Sequence, residues 1–167
     1  MDGGAGFEEF VANRYGALVR TGYLLTGDRG LAEDLVQSAL VGTLRGGSRL
    51  RDPEAYTRTV MYRLAIRWGR RRWRGEIATA EAPAVAGDDA TTAVDDADAA
   101  MRCLAVLPPA QRAVLVLKYY EQRRETEIAE LLGCSIGTVK SRAARALAAL
   151  RAAGLVEDEK GVRHADA

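Results

Sequence analysis

The stretch GCSIGTVKSRAARALAALR, residues 133–151, decides the fold. At about 100° per residue, Ile136, Val139, Ala143, Ala146, Leu147 and Leu150 gather in little more than one quadrant of a helix. That stripe calls for a core. Thr138, Ser141, Arg145 and Ala148 lie opposite, with Lys140 and Ala144 on one flank and Arg142 on the other. The outward surface is positive and sterically open, suited to a polyanion; the plainer alternative is a solvated charged face. Ser135 is placed to cap this helix. Just upstream, Glu125 to Leu132 reads as a short helix, so the pair is joined by the turn Gly133-Cys134-Ser135. Two short helices around a Gly-containing turn are the signature of a helix-turn-helix.

Working outward, nothing reads as strand. Pro108-Pro109 breaks one helix, begun near Asp95 or Asp96, and starts another through Val114, Leu115, Leu117 and Tyr119. In the N-terminal half, Phe7, Phe10, Val11, Leu18, Leu24 and Leu25 recur at helical spacing. A second helix is expected from Gly30 to Leu44, stopped by Gly46-Gly47. A third begins at Asp52-Pro53-Glu54, where a capping carboxylate, a proline at the first position and an acid in the first turn all suit a helix N-terminus. It continues through Tyr56, Val60, Met61, Leu64, Ala65 and Trp68 into Arg70-Arg71-Arg72-Trp73-Arg74. From Gly75 to about Val94 large apolar residues are almost absent, so a flexible linker is expected. The fold class is therefore all-α: two small helical domains, 7–75 and 95–151, joined by a flexible acidic linker, 76–94, and followed by a polar tail, 152–167, expected to fray.

The net charge of the 167 residues is only +1. Its distribution is uneven. Residues 1–75 hold 13 basic and 8 acidic side chains, 76–101 none and 7, 102–151 9 and 4, and 152–167 2 and 4. Two basic blocks flank an acidic strip. Arginine supplies all the cations except Lys118, Lys140 and Lys160, a bias that suits bidentate phosphate and guanine contacts.

Several function classes are excluded by pattern. No apolar run approaches the ~20 residues of a membrane span, and MDGGAGFEEF lacks a signal-peptide layout. Cys103 and Cys134 stand far apart without a neighbouring histidine, so neither a zinc site nor a disulfide framework is suggested, and a reducing cytoplasm is the default. His164, the single histidine, lies in the tail. No GxxxxGK[ST] and no nucleophile with a histidine partner occurs, so an enzyme is not expected, nor a cofactor, metal or small-molecule substrate.

Three surfaces remain as candidates. In a helix-turn-helix the second helix enters the major groove. Lys140, Arg142 and Arg145 can then reach phosphates or guanine edges, Ser135, Thr138 and Ser141 can donate, and Ala144 offers a methyl-sized contact. The run Arg63, Arg67, Trp68, Arg70, Arg71, Arg72, Trp73 and Arg74 mixes cations with aromatics, the combination that follows a backbone and stacks on unpaired bases. A solvated helix end explains it equally, and Trp68 fits the core stripe as well. Glu33-Asp34-Leu35-Val36-Gln37 is a docking surface for a basic partner or an ordinary helix N-terminal half.

In order and spacing, AEDLVQSAL (32–40), DPEAYTRTVMYRLAIRWGRRR (52–72), LPPAQRAVLVLKYYE (107–121) and EIAELLGCSIGTVKSRAARALAAL (127–150) resemble the extracytoplasmic-function (ECF) sigma factors of the sigma-70 class, in particular their sigma-E-type group. The resemblance covers about Phe7 to Arg151. It implies a cytoplasmic protein that binds core RNA polymerase and promoter DNA to direct transcription initiation. Glu33, Asp34, Leu35 and Gln37 would dock on the polymerase clamp helices. Arg63, Arg67, Trp68, Arg70, Arg71 and Arg72 would engage the upstream edge of the melted −10 element. The quoted helix would read the −35 element, with Ser135, Lys140, Ser141, Ala144 and Arg145 toward the bases. The acidic linker would thread toward the active channel, and an anti-sigma partner would cover the polymerase-facing surfaces.

Four departures from the family pattern stand out. Ser38 replaces a common acid, Gly42 and Leu44 a common Arg and Trp, and Arg67 a common Asn. Arg123 and Arg124 stand where a Leu and a capping Ser are usual, which costs the first helix of the helix-turn-helix its side-chain cap, about 1 kcal/mol, although Glu127 keeps the capping-box position. The rival readings are a stand-alone helix-turn-helix regulator, which would bind an operator unaided, and an adaptor that binds polymerase or RNA without choosing promoters.

Overall fold

The computed structural model describes residues 3–75 and 92–157. Most of the expected linker and the end of the tail lie outside the described residues. All regular structure among the described residues is helical, in the order α1 (Gly3–Thr26), α2 (Arg29–Gly46), a short 3-10 turn (Gly47–Arg49), α3 (Pro53–Trp73), α4 (Thr92–Ala105), α5 (Pro109–Leu115), α6 (Glu125–Leu132) and α7 (Ile136–Ala152).

Local chemistry explains where these helices start. Asp28 Oδ1 accepts from the Leu31 amide at 2.8 Å, and Asp52 Oδ1 from the Ala55 amide at 3.0 Å, with Pro53 at the first position of α3. Each such cap contributes about 1 kcal/mol. The start of α6 is half capped. An arginine side chain has no acceptor, so only the return bond forms: Arg124 N–H donates to Glu127 Oε2 at 3.0 Å. That bond holds the Glu127 carboxyl below its ordinary range. Gly133 ends α6 in the left-handed region, φ 66°, which a side chain would resist.

The N-terminal block packs α1, α2 and α3 around Leu18, Leu24, Leu25, Leu35, Val36, Ala39, Met61, Tyr62 and Ala65, all buried. In the C-terminal block α4 to α7 bury Leu104, Leu107, Val114, Leu117, Ile128, Val139, Ala143, Ala146 and Leu150. Full burial of a Leu or Ile contributes roughly 1.5–3 kcal/mol. Two expected members of the α7 stripe are missing from this core: Ile136 is 42% exposed at the helix tip, and Leu147 is only half-buried.

The helix expected to run from Pro109 through Tyr119 changes winding. After Leu115 it continues as a π-helical turn, Val116–Tyr120, closed by Glu121 N–H to Val116 O at 3.0 Å. Gln122 then takes a left-handed φ of 53°. The wider turn ends on Glu121, which reaches back to the first block. π-turns of this kind recur at functional positions.

The two blocks do not stand apart on their tether; they pack on one another. Arg58 of α3 forms an ion pair with Glu121, and Thr21 Oγ1 donates to Glu121 Oε1 at 3.2 Å. Arg112 Nη1 donates to Leu25 O near the C-terminus of α1 at 3.1 Å, where a cation meets the negative end of the helix dipole. Tyr23 Oη donates to Asp98 Oδ1 at 3.4 Å, and Arg63 Nε to Leu131 O at 3.1 Å.

Candidate nucleic-acid interface

Helix α7 is seated by its buried face, Val139, Ala143, Ala146 and Leu150. What remains outward is fixed by that choice. Lys140, Ser141, Ala144 and Arg145 are exposed side by side. Ser135 caps the helix, accepting from the Thr138 amide at 3.1 Å, and its hydroxyl lies 2.9 Å from that of the half-buried Thr138. These two residues are thus engaged in holding the helix tip. Lys140 Nζ is 3.9 Å from Glu125 Oε2, a loose surface pair that leaves it free to swing. Arg142 turns the other way. It is half-buried and its Nη1 lies 3.9 Å from Cys134 Sγ, toward α3 rather than along the exposed face.

On α3 the positions Arg63, Arg67, Arg70, Arg71 and Arg74 recur at three- and four-residue steps, so they share one stripe. All five are exposed and line a cleft whose far wall is Leu132, Gly133, Cys134 and Arg142. Arg72 lies off the stripe, half-buried. Burial, aided by the charge of Arg72, draws the guanidinium pKa of Arg112 down to about 10. Trp68 is not an exposed base platform: it is half-buried and packs against the core. The open ring is Trp73, 56% exposed at the end of the helix.

The α2 surface differs from its sequence reading at one place. Glu33, Asp34 and Gln37 are exposed, whereas Leu35 is fully buried and presents nothing to a partner. Its role in docking is corrected: it anchors α2 to the core. The outward face continues instead through Val41, 49% exposed, and Leu44, 60% exposed. Spacing could have found them, since 33, 37, 41 and 44 recur at helical intervals. An apolar residue on an acidic face is easily assigned to the core, and this obscured them.

Among the described residues no group of three or more His, Cys, Asp or Glu side chains could hold a metal ion, and both cysteines are free. No helix among them is long and apolar enough to cross a membrane.

Two helical blocks, an open recognition helix after a glycine turn and a second arginine-lined helix define a helix-turn-helix protein built for nucleic acid. Comparison with known proteins gives the family. Residues 10–75 match the family described as Sigma-70 region 2, and residues 97–150 that described as Sigma-70, region 4. The chain is 42% identical over 148 residues to the RNA polymerase sigma-E factor of Streptomyces avermitilis, covering 87% of this chain and 83% of the relative. It is equally identical, at 42%, to the RNA polymerase sigma-E factor of Streptomyces coelicolor, over 87% of this chain and 84% of the relative. In fold it is similar to the sigma factor RpoE of Bartonella quintana, solved with the anti-sigma factor NepR (TM-score 0.66, 24% identity, 92% of this chain and 99% of that one). It also resembles CnrH, solved with the cytosolic domain of CnrY (TM-score 0.59, 23% identity, 88% and 86% covered). The chain belongs to the sigma-70 family; it is an ECF-type RNA polymerase sigma factor, a protein of transcription initiation.

Proposed function

We propose that this sigma factor, acting in the cytoplasm and without chemistry of its own, places α7 on the −35 element and the α3 arginine stripe on the upstream edge of the −10 element. In this reading Lys140, Ser141, Ala144 and Arg145 meet base edges and phosphates, while Ser135 and Thr138 hold the helix tip. Arg63, Arg67, Arg70 and Arg71 follow the −10 backbone, with Trp73 as the ring available for stacking. Glu33, Asp34 and Gln37, extended by Val41 and Leu44, form the polymerase-docking face of residues 7–75. An anti-sigma partner competes for that face, by analogy with the similar sigma factor solved together with the anti-sigma factor NepR.

One observation carries the reading further: Arg63 of α3 is hydrogen-bonded to Leu131 at the end of α6, 3.1 Å away. Elements named for positions 35 and 10 lie about 25 base pairs, or ~85 Å, apart on duplex at 3.4 Å per step. Blocks in contact cannot serve both. The packed arrangement is therefore the polymerase-free form, and core polymerase holds the blocks open, contributing their separation as binding energy spent on alignment.

Run-off transcription with purified core enzyme, with and without this chain, tests the proposal. Promoter-dependent product is expected only when both are present, and a promoter duplex alone should be bound weakly. Tight, selective binding of promoter duplex by the chain without polymerase would instead identify a stand-alone regulator.

A further inference from the structure

The α3 stripe and the α6–α7 turn enclose an open cleft of about 570 Å3, within the ~300–1,000 Å3 of small-molecule sites. Arg63, Arg67, Arg70, Arg71 and Arg74 line it from the N-terminal block and Arg142 from the C-terminal block, and among the described residues no carboxylate lines it. Ile66 and Leu132 supply an apolar floor. The volume is far too small for a DNA duplex. We infer that this cleft is a binding site for a compact polyphosphate, a chain of three or more phosphates, that is held by both blocks at once and favours their packed arrangement.

Packing the blocks places Arg142, from one block, in the same cleft as the arginine stripe of the other, and like charges sharing a cleft oppose closure. An anion placed between them reverses the sign of that contribution. Because Arg142 joins the stripe only when the blocks are packed, an anion touching both binds the packed form better than the open one, and by linkage shifts the population toward it. Guanidinium forks match phosphate oxygens bidentately, so arginine rather than lysine suits the task. A single orthophosphate can engage only two or three forks. A linked chain of phosphates can span the stripe, and its inorganic or nucleoside origin depends on whether the Ile66–Leu132 floor holds a base.

Isothermal titration of the full chain with sodium tripolyphosphate, in magnesium-free buffer at about physiological ionic strength, tests this. One anion per chain is expected, with sodium sulfate at matched ionic strength binding at least tenfold more weakly. Arg142→Ala should weaken binding at least tenfold, and so should Gly69→Leu, which changes no charge but wedges α3 away from Pro109. ATP and adenosine as further ligands identify the source: ATP tighter than tripolyphosphate assigns a nucleoside polyphosphate, equal affinity an inorganic chain. Far-UV circular dichroism confirms that both variants are folded. Tripolyphosphate affinity unchanged in both variants, or matched by sulfate, overturns the inference. These outcomes are independent of the run-off assay, which tests initiation without added polyphosphate.

Discussion

A Cβ placed on Gly69 of α3 would stand 2.7 Å from Pro109 Cγ at the start of α5. The two helices approach that closely because one residue lacks a side chain, and the proline ring occupies the space. Gly69 therefore acts as a socket for the second block, at a point far from any turn.

Gly69→Leu should open the molecule while leaving α3 intact. Leucine is the better helix former by up to about 1 kcal/mol, so loss of the packed form would be attributable to the clash alone. Small-angle scattering should show a larger radius of gyration at unchanged helicity. An unchanged radius would mean that the interface yields around the new side chain.

The Arg58–Glu121 pair should be the main electrostatic latch. Their side chains are only 10% and 8% exposed, and Glu54, which also reaches Arg58 at 3.3 Å, cannot replace Glu121 across the interface. Glu121→Ala should cost closure about 3–5 kcal/mol, because it leaves a buried charge short of its partner. A double-mutant cycle with Arg58→Ala should give a coupling of about 1–3 kcal/mol. Additive losses would show that the two charges do not act as a pair.

Tyr62→Phe should be close to neutral near neutral pH. The Tyr62 hydroxyl and Glu121 Oε2 are buried without a well-formed hydrogen bond, but the hydroxyl sits beside the Glu121 carboxylate, so shedding a poorly paired hydroxyl is offset by the loss of a polar neighbour for that carboxylate. Burial first, and then the nearby Glu121, push the Tyr62 pKa well above its ordinary 10. The sign follows: the unfolded tyrosine ionises near 10 and the folded one does not, so stability is whole below 10 and falls above it, by about 1.4 kcal/mol per pH unit. Arg112, depressed to about 10, works in the opposite direction over the same range. Urea melts from pH 9 to 11 should show a steeper decline for the parent chain than for Tyr62→Phe; parallel curves would refute the assignment.

Acid should loosen the start of α6. The Arg124 amide holds the Glu127 carboxyl below 4.5, so the cap is whole above that value and is lost as pH falls through the lower, folded one. The Arg124 amide resonance should titrate with Glu127. In Glu127→Gln, which keeps an acceptor, the resonance should stay still.

The DNA-reading and polymerase-docking faces should separate by mutation. Lys140→Ala and Arg145→Ala should each lower −35-dependent transcription roughly tenfold or more, the equivalent of about 1–3 kcal/mol, with core binding unchanged in a pull-down. Leu44→Asp should do the reverse, weakening core binding while a −35 duplex competes as before. Equal losses in both assays would contradict the division between α2 and α7.

Much of this was legible in the chain because it is local. Caps at Asp52 and Ser135, the Gly133 turn and the i, i+4 arginine stripe depend on neighbours within a turn or two, and so does the open face of α7. What depended on distant neighbours was misplaced or unseen. Leu35 sat within an acidic docking stretch until α2 met its core, Ile136 belonged to an apolar stripe that packing left exposed at the tip of α7, and Trp68 was balanced between core and solvent until packing drew it in.

By itself, the order of residues determined an all-helical chain of two basic blocks with a helix-turn-helix in the second, since periodicity, caps and turn chemistry act over a few residues. Only the tertiary structure decided that those blocks close on one another. Arg58 and Glu121 are 63 positions apart and Gly69 and Pro109 forty, so neither pairing leaves a mark in local pattern. They meet because a buried charge must find its counterion, and because a proline ring fits the space that Gly69 leaves on α3.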